Sequence, residues 1–125
     1  NEIELKRRTK EFALRVIRLV GALPKTVEGR ALGSQLIRSG TSVGANYRAA
    51  CRGRSKAEFI SKLGIVEEEA DESEFWLELI IDAGLLSKPK VEPLRREASE
   101  LTAIMAASRI SASKRSQIAN QKSKI

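Results

Sequence analysis

Apolar residues recur along this chain at intervals of three and four, the spacing that places side chains on one face of an α-helix. The first such run covers residues 2–22 and ends before Pro24, a residue that cannot continue a helix. Basic residues fall between the apolar positions and therefore occupy the other faces. The pattern predicts a first amphipathic helix. Its apolar seam consists of Leu5, Thr9, Phe12, Val16, Leu19 and Leu23.

The second run begins after Thr26, whose hydroxyl suits a helix N-cap, and it is rich in small residues. Each glycine inside a helix costs about 1 kcal/mol of helix propensity relative to alanine, so a helix with several glycines needs a packing reason. Close approach of a neighbouring helix is one such reason, and a break near Ser39 and Gly40 is the alternative. Ser42 and Asn46 lie one turn apart, and we expect them to hydrogen-bond across the bundle.

The clearest helix start in the chain is Ser55, which is followed by Glu58 at the capping-box position. The apolar seam after it alternates spacings of four and three residues, as in coiled-coil-like bundles. More apolar surface lies beside this seam than one helix contact requires, which indicates a second buried contact. The candidate oligomer-interface residues are therefore Phe75, Trp76 and Leu79.

A fourth helix is predicted after a loop from Gly84 to Pro93, because proline is favoured in the first turn of a helix. Its apolar seam runs to about Ala112. Residues 113–125 are polar, basic and rich in serine, which predicts a disordered tail. The sequence therefore predicts an all-α fold, with one helical domain over residues 1–112 followed by the tail.

Charge is unevenly distributed in this chain of 125 residues and net charge +7. Residues 1–66 carry 14 Lys/Arg and 5 Asp/Glu, whereas residues 67–82 carry eight acids and no base. An uneven basic surface favours a polyanionic partner, nucleic acid first; the alternative is a protein that merely has a high isoelectric point. The candidate nucleic-acid-binding residues are Lys6, Arg7, Arg8, Lys10, Arg15, Arg18, Arg48, Arg52, Arg54 and Lys56.

No catalytic constellation is recognisable. The chain has no histidine, which removes the commonest general base, and a single cysteine cannot form a cysteine-rich metal site. We expect Cys51 to be a small, buried or half-buried residue. Neighbouring arginines could lower its thiol pKa, but no partner base accompanies it. We expect the acidic residues to pair with Arg38, Arg48 or Arg52, within the chain or between subunits. We therefore expect no catalytic residue, no metal and no cofactor.

No apolar run approaches the roughly 20 residues of a membrane span, and no signal-peptide pattern opens the chain. The expected location is the cytoplasm, with no membrane partner.

A family resemblance is carried by the run SVGANYRAACRGRSKAEFISKLGIVEEEADESEFWLELI. It resembles the signature of bacterial four-helix-bundle proteins called 23S ribosomal RNA intervening-sequence proteins, or the S23 family, in its NYRAACRxRS form. The flanking pieces ALPKTVEGRALGSQLIRSGTSVGAN and LRREASELTAIMAASRISA agree, so the resemblance covers roughly residues 8–112. The family is also similar to the accessory protein of diversity-generating retroelements, which binds nucleic acid and a reverse transcriptase.

The resemblance implies an antiparallel up-down four-helix bundle that assembles into a homopentamer, with no catalytic residues to carry over. Two functions are then open. The first is a non-enzymatic, oligomeric module that binds the phosphate backbone of RNA or DNA through its basic helix faces. The alternative is a protein-interaction scaffold or accessory subunit for a nearby-encoded enzyme, such as a reverse transcriptase.

Overall fold

The computed structural model describes residues 1–123, which form four α-helices joined by short turns and contain no strand. The helices are α1 (Glu2–Gly21), α2 (Val27–Cys51), α3 (Lys56–Asp82) and α4 (Lys88–Ser123). Consecutive helices pack on each other, and α1 also contacts α4, so the four helices form a closed bundle. Because short turns join them, each helix runs antiparallel to the one before it. The predicted all-α, antiparallel up-down four-helix bundle is confirmed.

The helix starts follow from local side-chain chemistry. The hydroxyl of Thr26 accepts a hydrogen bond from the Gly29 amide at 3.1 Å, and that of Ser55 accepts one from the Glu58 amide at 3.1 Å. Each bond satisfies an amide that has no partner within its own helix. Glu58 completes a variant of the capping box, because its carboxylate accepts from the Arg54 amide at 3.2 Å rather than from Ser55.

The core is aliphatic, and every helix contributes to it. Complete burial of large apolar side chains is the main favourable term for a bundle of this size. The largest fully buried apolar side chains are Phe12, Val16, Leu36, Val43, Leu63, Val66, Leu77, Ile80, Val91, Leu101 and Met105.

The small residues of α2 let α1 approach closely. A Cβ atom placed on Gly40 would lie 2.8 Å from Val16 Cγ2, and one on Gly33 would lie 3.0 Å from Val20 Cγ1. The α2 helix is continuous through Gly40, so the alternative of a break at this point is wrong. The packing interpretation of the glycines is confirmed.

One polar contact crosses the centre of the bundle. Ser73 and Ser39 are fully buried, and the Ser73 hydroxyl donates to the Ser39 hydroxyl at 2.9 Å. The predicted role of Ser42 and Asn46 is wrong. Ser42 donates to the Arg38 carbonyl and Asn46 to the Ser42 carbonyl, so both bond within α2. Both side chains lie only half-buried at the edge of the core, where a local carbonyl is the nearest acceptor.

The fourth helix starts earlier than predicted. It begins at Lys88, so Pro89 occupies its first turn and Pro93 lies inside the helix rather than at its start. Backbone amides in the first turn have no acceptor within the helix, so the missing N–H of proline costs nothing there. Pro89 therefore marks the start of the helix better than Pro93 does. The helix also continues to Ser123, whereas a disordered tail was predicted from residue 113. Elongating an existing helix carries no nucleation cost, which explains the difference. Residues 124 and 125 lie outside the described part of the chain.

Substitution of Gly40 tests the close contact of α1 and α2. Alanine normally gains helix propensity over glycine, but here its methyl group would press on Val16. We expect Gly40→Ala to lower the free energy of unfolding by roughly 1–3 kcal/mol in urea titrations. Gly64→Ala is the matched control, because only Arg109 Cδ, at 3.7 Å, lies near its added methyl. This control should gain up to about 1 kcal/mol; equal gains in both variants would contradict the close contact.

Candidate nucleic-acid interface

A basic groove lies between α1 and α2. Lys6 and Lys10 are one turn apart on α1, and Arg48 lies in the last turn of α2, which is capped by Arg52. The antiparallel packing of the two helices brings these pairs to the same end of the bundle. The groove has a volume of about 520 Å³, and no acidic residue lines it. Its remaining walls are small side chains: Thr9, Ala13, Thr41, Gly44 and Ala45.

The cations of the α1–α2 groove are largely available to a ligand. Among residues 1–123, Lys10, Arg48 and Arg52 form no salt bridge, and all three are exposed. Lys6 lies 3.5 Å from Glu2 in an exposed pair one turn apart. Such pairs contribute little to stability, so phosphate could displace Glu2 at small cost. Four of the ten predicted residues therefore share one surface.

Arg8 has a different role. Its Nε and Nη2 atoms donate to the two carboxylate oxygens of Glu97 on α4, at 2.7 and 2.6 Å, and Glu100 lies 3.4 Å from Nη2. The pair is partly buried and bidentate, which is the strong geometry for an arginine–carboxylate contact. The hydrogen bond from Glu97 raises the pKa of Arg8 further above its already high value. Arg8 thus fastens α1 to α4.

The other predicted residues are spread over separate surfaces. Arg15 and Arg18 line a groove of about 310 Å³ on the α1–α4 side, and Arg18 lies 3.7 Å from Glu11. Arg7 is exposed on α1. Arg54, in the turn after α2, and Lys56, the first residue of α3, line a larger groove of about 1070 Å³. All four helices contribute to this groove, at the end of the bundle where α1 begins. The structure therefore does not unite the ten residues into one face.

Half of the acids in the run 67–82 of α3 form ion pairs within the bundle, and some of these pairs are with arginines of α4. Glu67 accepts from Arg109 at 2.8 Å, and Glu74 accepts from Arg95 at 2.6 Å. These acids lie beside the buried seam of α3, so the ion pairs flank the core along the α3–α4 contact.

The other flank of α3 binds α2 through a single arginine. Arg38 reaches Glu69 at 3.1 Å and also contacts Glu72. The predicted pairing of the acids with Arg38 is confirmed, whereas pairing with Arg48 or Arg52 does not occur within the described chain. Those two arginines lie too near the end of α2, beside α1 rather than the acidic middle of α3. Within the acidic run 67–82, the acids left exposed and without a salt bridge to the described residues are Glu68, Asp71, Glu78 and Asp82.

The three candidate interface residues differ in exposure. Phe75 is 50% exposed on the outer face of α3, where its ring meets Trp76 edge-on at 5.2 Å. Trp76 is half-buried against the core, and its indole N–H donates to Glu72 at 3.3 Å. Leu79 is half-buried. Phe75 is thus the residue of the three most accessible to a partner.

Cys51 is not an activated thiol. Burial and the neighbouring Glu2 carboxylate raise its pKa, so the expected lowering by arginines is wrong. Arg48 and Arg52 line the α1–α2 groove, whereas Cys51 lines the larger groove. Burial likewise raises the pKa of the adjacent Tyr47 phenol.

Within the described residues, no group of three or more acids or cysteines is arranged to hold a metal ion. None of the four helices has a stretch long and apolar enough to cross a membrane.

A basic residue beyond residue 112 also lines a groove, and the predicted binding residues did not include it. Arg115 on α4 lines the larger groove together with Arg54 and Lys56. A signal was present, since the sequence contains no acid after Glu100.

Neutralising Arg8 distinguishes its structural role from phosphate binding. Arg8→Gln leaves the half-buried Glu97 without its bidentate partner, so the free energy of unfolding should fall by roughly 1–3 kcal/mol in urea titrations. Lys10→Gln is the control, because Lys10 has no described ion pair and should change stability by less than about 0.5 kcal/mol. Equal stability of the two variants would contradict a fastening role for Arg8.

Comparison with known proteins places the chain in a family. The family model described as "23S rRNA-intervening sequence protein" matches residues 1–107. The chain is also similar to a crystal structure of a protein of unknown function from the S23 ribosomal protein family of Bacteroides thetaiotaomicron, with 34% sequence identity and a TM-score of 0.75. That match covers 82% of this chain and 95% of the other. No curated protein matches. The chain therefore belongs to the family of 23S rRNA intervening-sequence proteins.

Proposed function

We propose that this protein is a non-enzymatic nucleic-acid-binding module whose α1–α2 groove contacts the phosphate backbone. The observation that carries the proposal is the convergence of Lys6, Lys10, Arg48 and Arg52 on a groove without an acidic wall. Lysine and arginine that neutralise phosphates release condensed counterions, which supplies most sequence-independent affinity. The small side chains between the cations leave room for a backbone to enter.

Backbone recognition fits the placement of the aromatic residues. Phe12 and Tyr47 are buried, while Phe59 and Trp76 are half-buried against the core. Phe75 is exposed but lies on α3, away from the groove. Stacking of bases on aromatic rings therefore contributes little, and binding depends on charge and shape. The family description refers to an RNA, which makes structured RNA the first ligand to test.

A salt series on a labelled structured RNA tests the groove. The wild-type protein should bind with a steep negative slope of log K against log salt, because several phosphates are neutralised. The variant Lys10→Gln, Arg48→Gln, Arg52→Gln should reduce the magnitude of that slope by roughly two to three. Fluorescence anisotropy measures both quantities, and duplex DNA in parallel shows which nucleic acid is preferred.

The control neutralises three exposed cations at the opposite end of the bundle, Lys25, Arg30 and Lys88. It carries the same change in net charge and should keep the wild-type slope. Equal losses in the groove variant and the control would contradict a specific groove. An absence of binding to RNA and DNA at low salt would sink the proposed function itself.

A separate surface supports the oligomer that the nucleic-acid-binding function includes, and the same surface is open to the alternative function, a scaffold for protein partners. Phe75 is a half-exposed aromatic ring on an outer face that also carries Asp71 and Glu78. The exposed apolar side chains Leu14 and Ile17 lie on α1, which is a basic helix. This patch of one copy would face the Phe75 patch of another copy. Two different patches of complementary charge suit head-to-tail closure into a ring. We propose such self-association, with the five subunits that the family resemblance implies, in a cytoplasmic protein.

Phe75 is the residue with which to test the ring. Phe75→Lys should reduce the mass measured by light scattering to that of one chain, because a charge would be buried against the next subunit. Val27→Lys is the control, since Val27 is 79% exposed at the start of α2 and outside both patches. A single-chain mass for the wild type, or an unchanged oligomer in Phe75→Lys, would contradict this interface. An accessory role for an enzyme such as a reverse transcriptase would then need another surface.

A further inference from the structure

The last part of α4 continues beyond the packed bundle. Ala112 is the last buried residue, and from Lys114 to Ser123 every side chain except the half-buried Ser116 is exposed. The 11 residues from Ser113 to Ser123 form about 16 Å of helix. We call residues 113–123 the α4 extension. It lies outside the family match, which ends at residue 107.

The α4 extension has the charge of a polyanion-binding element. It carries Lys114, Arg115 and Lys122 and no acid. None of these cations forms a salt bridge within residues 1–123, and Arg115 only donates to the Ser111 hydroxyl, at 2.9 Å. A helical end of this length, with little apolar surface to bury, gains little stability from the bundle. A polyanion that binds the helical form of the extension would stabilise that form.

The extension lies next to other cations. Arg115 lines the larger groove together with Arg54 and Lys56. Arg8 also lines this groove, but its charge is balanced by Glu97. The acids on the lining are Glu2 and Glu4, both at the start of α1. The positive charges are therefore concentrated on the side formed by α4 and the α2–α3 turn.

The α2–α3 turn connects the two grooves. Arg52, at the end of α2, lines the α1–α2 groove, whereas Arg54 and Lys56, only two and four residues later, line the larger groove. The cations thus follow one another around the end of the bundle. A chain of phosphates leaving the first groove would meet Arg54 and Lys56 before it reached Arg115.

We propose that the α4 extension and the α2–α3 turn form a second phosphate-binding surface, which holds the same nucleic acid as the α1–α2 groove. This inference rests on the proposed function, and it specifies the path that the nucleic acid takes over the surface of the protein. The nucleic acid crosses the end of the bundle at the α2–α3 turn and lies along the extension, which contacts its backbone without reading its bases.

The test compares wild type with two full-length triple variants. The extension variant is Lys114→Gln, Arg115→Gln, Lys122→Gln, and the control is Lys25→Gln, Arg30→Gln, Lys88→Gln. Glutamine retains high helix propensity, so circular dichroism should show equal helix content. Binding of the same labelled structured RNA is measured by anisotropy over a salt series. The extension variant should lose roughly two to three units of log–log slope, and the control none.

Each outcome bears on a different claim. If wild type binds and the extension variant keeps the wild-type slope, the inference fails while the groove proposal stands. Equal losses of slope in the extension variant and the control would mean that net charge alone attracts the RNA, which also overturns the inference. If the extension variant loses slope but the α1–α2 groove variant does not, a single path across both surfaces is wrong. If wild type binds neither RNA nor DNA, the proposed function and this inference fail together.

Discussion

The close contact between α1 and α2 is the constraint on which the rest of the structure depends. Because Gly33 and Gly40 present no side chain, Val20 and Val16 of α1 reach the α2 backbone. That approach sets the distance between the two helices, and with it the width of the groove between Lys10 and Arg48. Four interior glycines weaken α2 as an isolated helix, so its order depends on packing with its neighbours.

Ion pairs join the pairs of helices that are not held together by a close glycine contact. Arg38 joins α2 to α3, while Arg95 and Arg109 join α4 to α3. These contacts pair the acids nearest the core with arginines, whereas the outer acids of α3 remain exposed. The consequence is a molecule with separated charge: an acidic outer face on α3, and cations concentrated at the end of the bundle where α1 begins. This separation underlies both the nucleic-acid proposal and the scaffold alternative.

The sequence predicted the helices well, because each is specified locally by a periodic seam and a capping residue such as Ser55. It predicted the site less well. Periodicity places Arg8 and Lys10 on exposed sides of the same helix, but only the packed structure shows that Glu97 faces Arg8 and that nothing acidic faces Lys10. Similarly, residues 113–123 have a composition typical of disorder, and only their covalent continuity with a packed helix makes them helical.

The seam between α1 and α4 is the least extensive of the four helix contacts, and Arg8 is its main polar fastening. The α3 helix, by contrast, is packed on both sides by long neighbours. Stability is therefore unevenly distributed, and α1 is the part most prone to separate from the other helices as one cooperative unit. Amide hydrogens of α1 would then exchange with solvent by local opening, while those of α3 would exchange only when the whole domain unfolds.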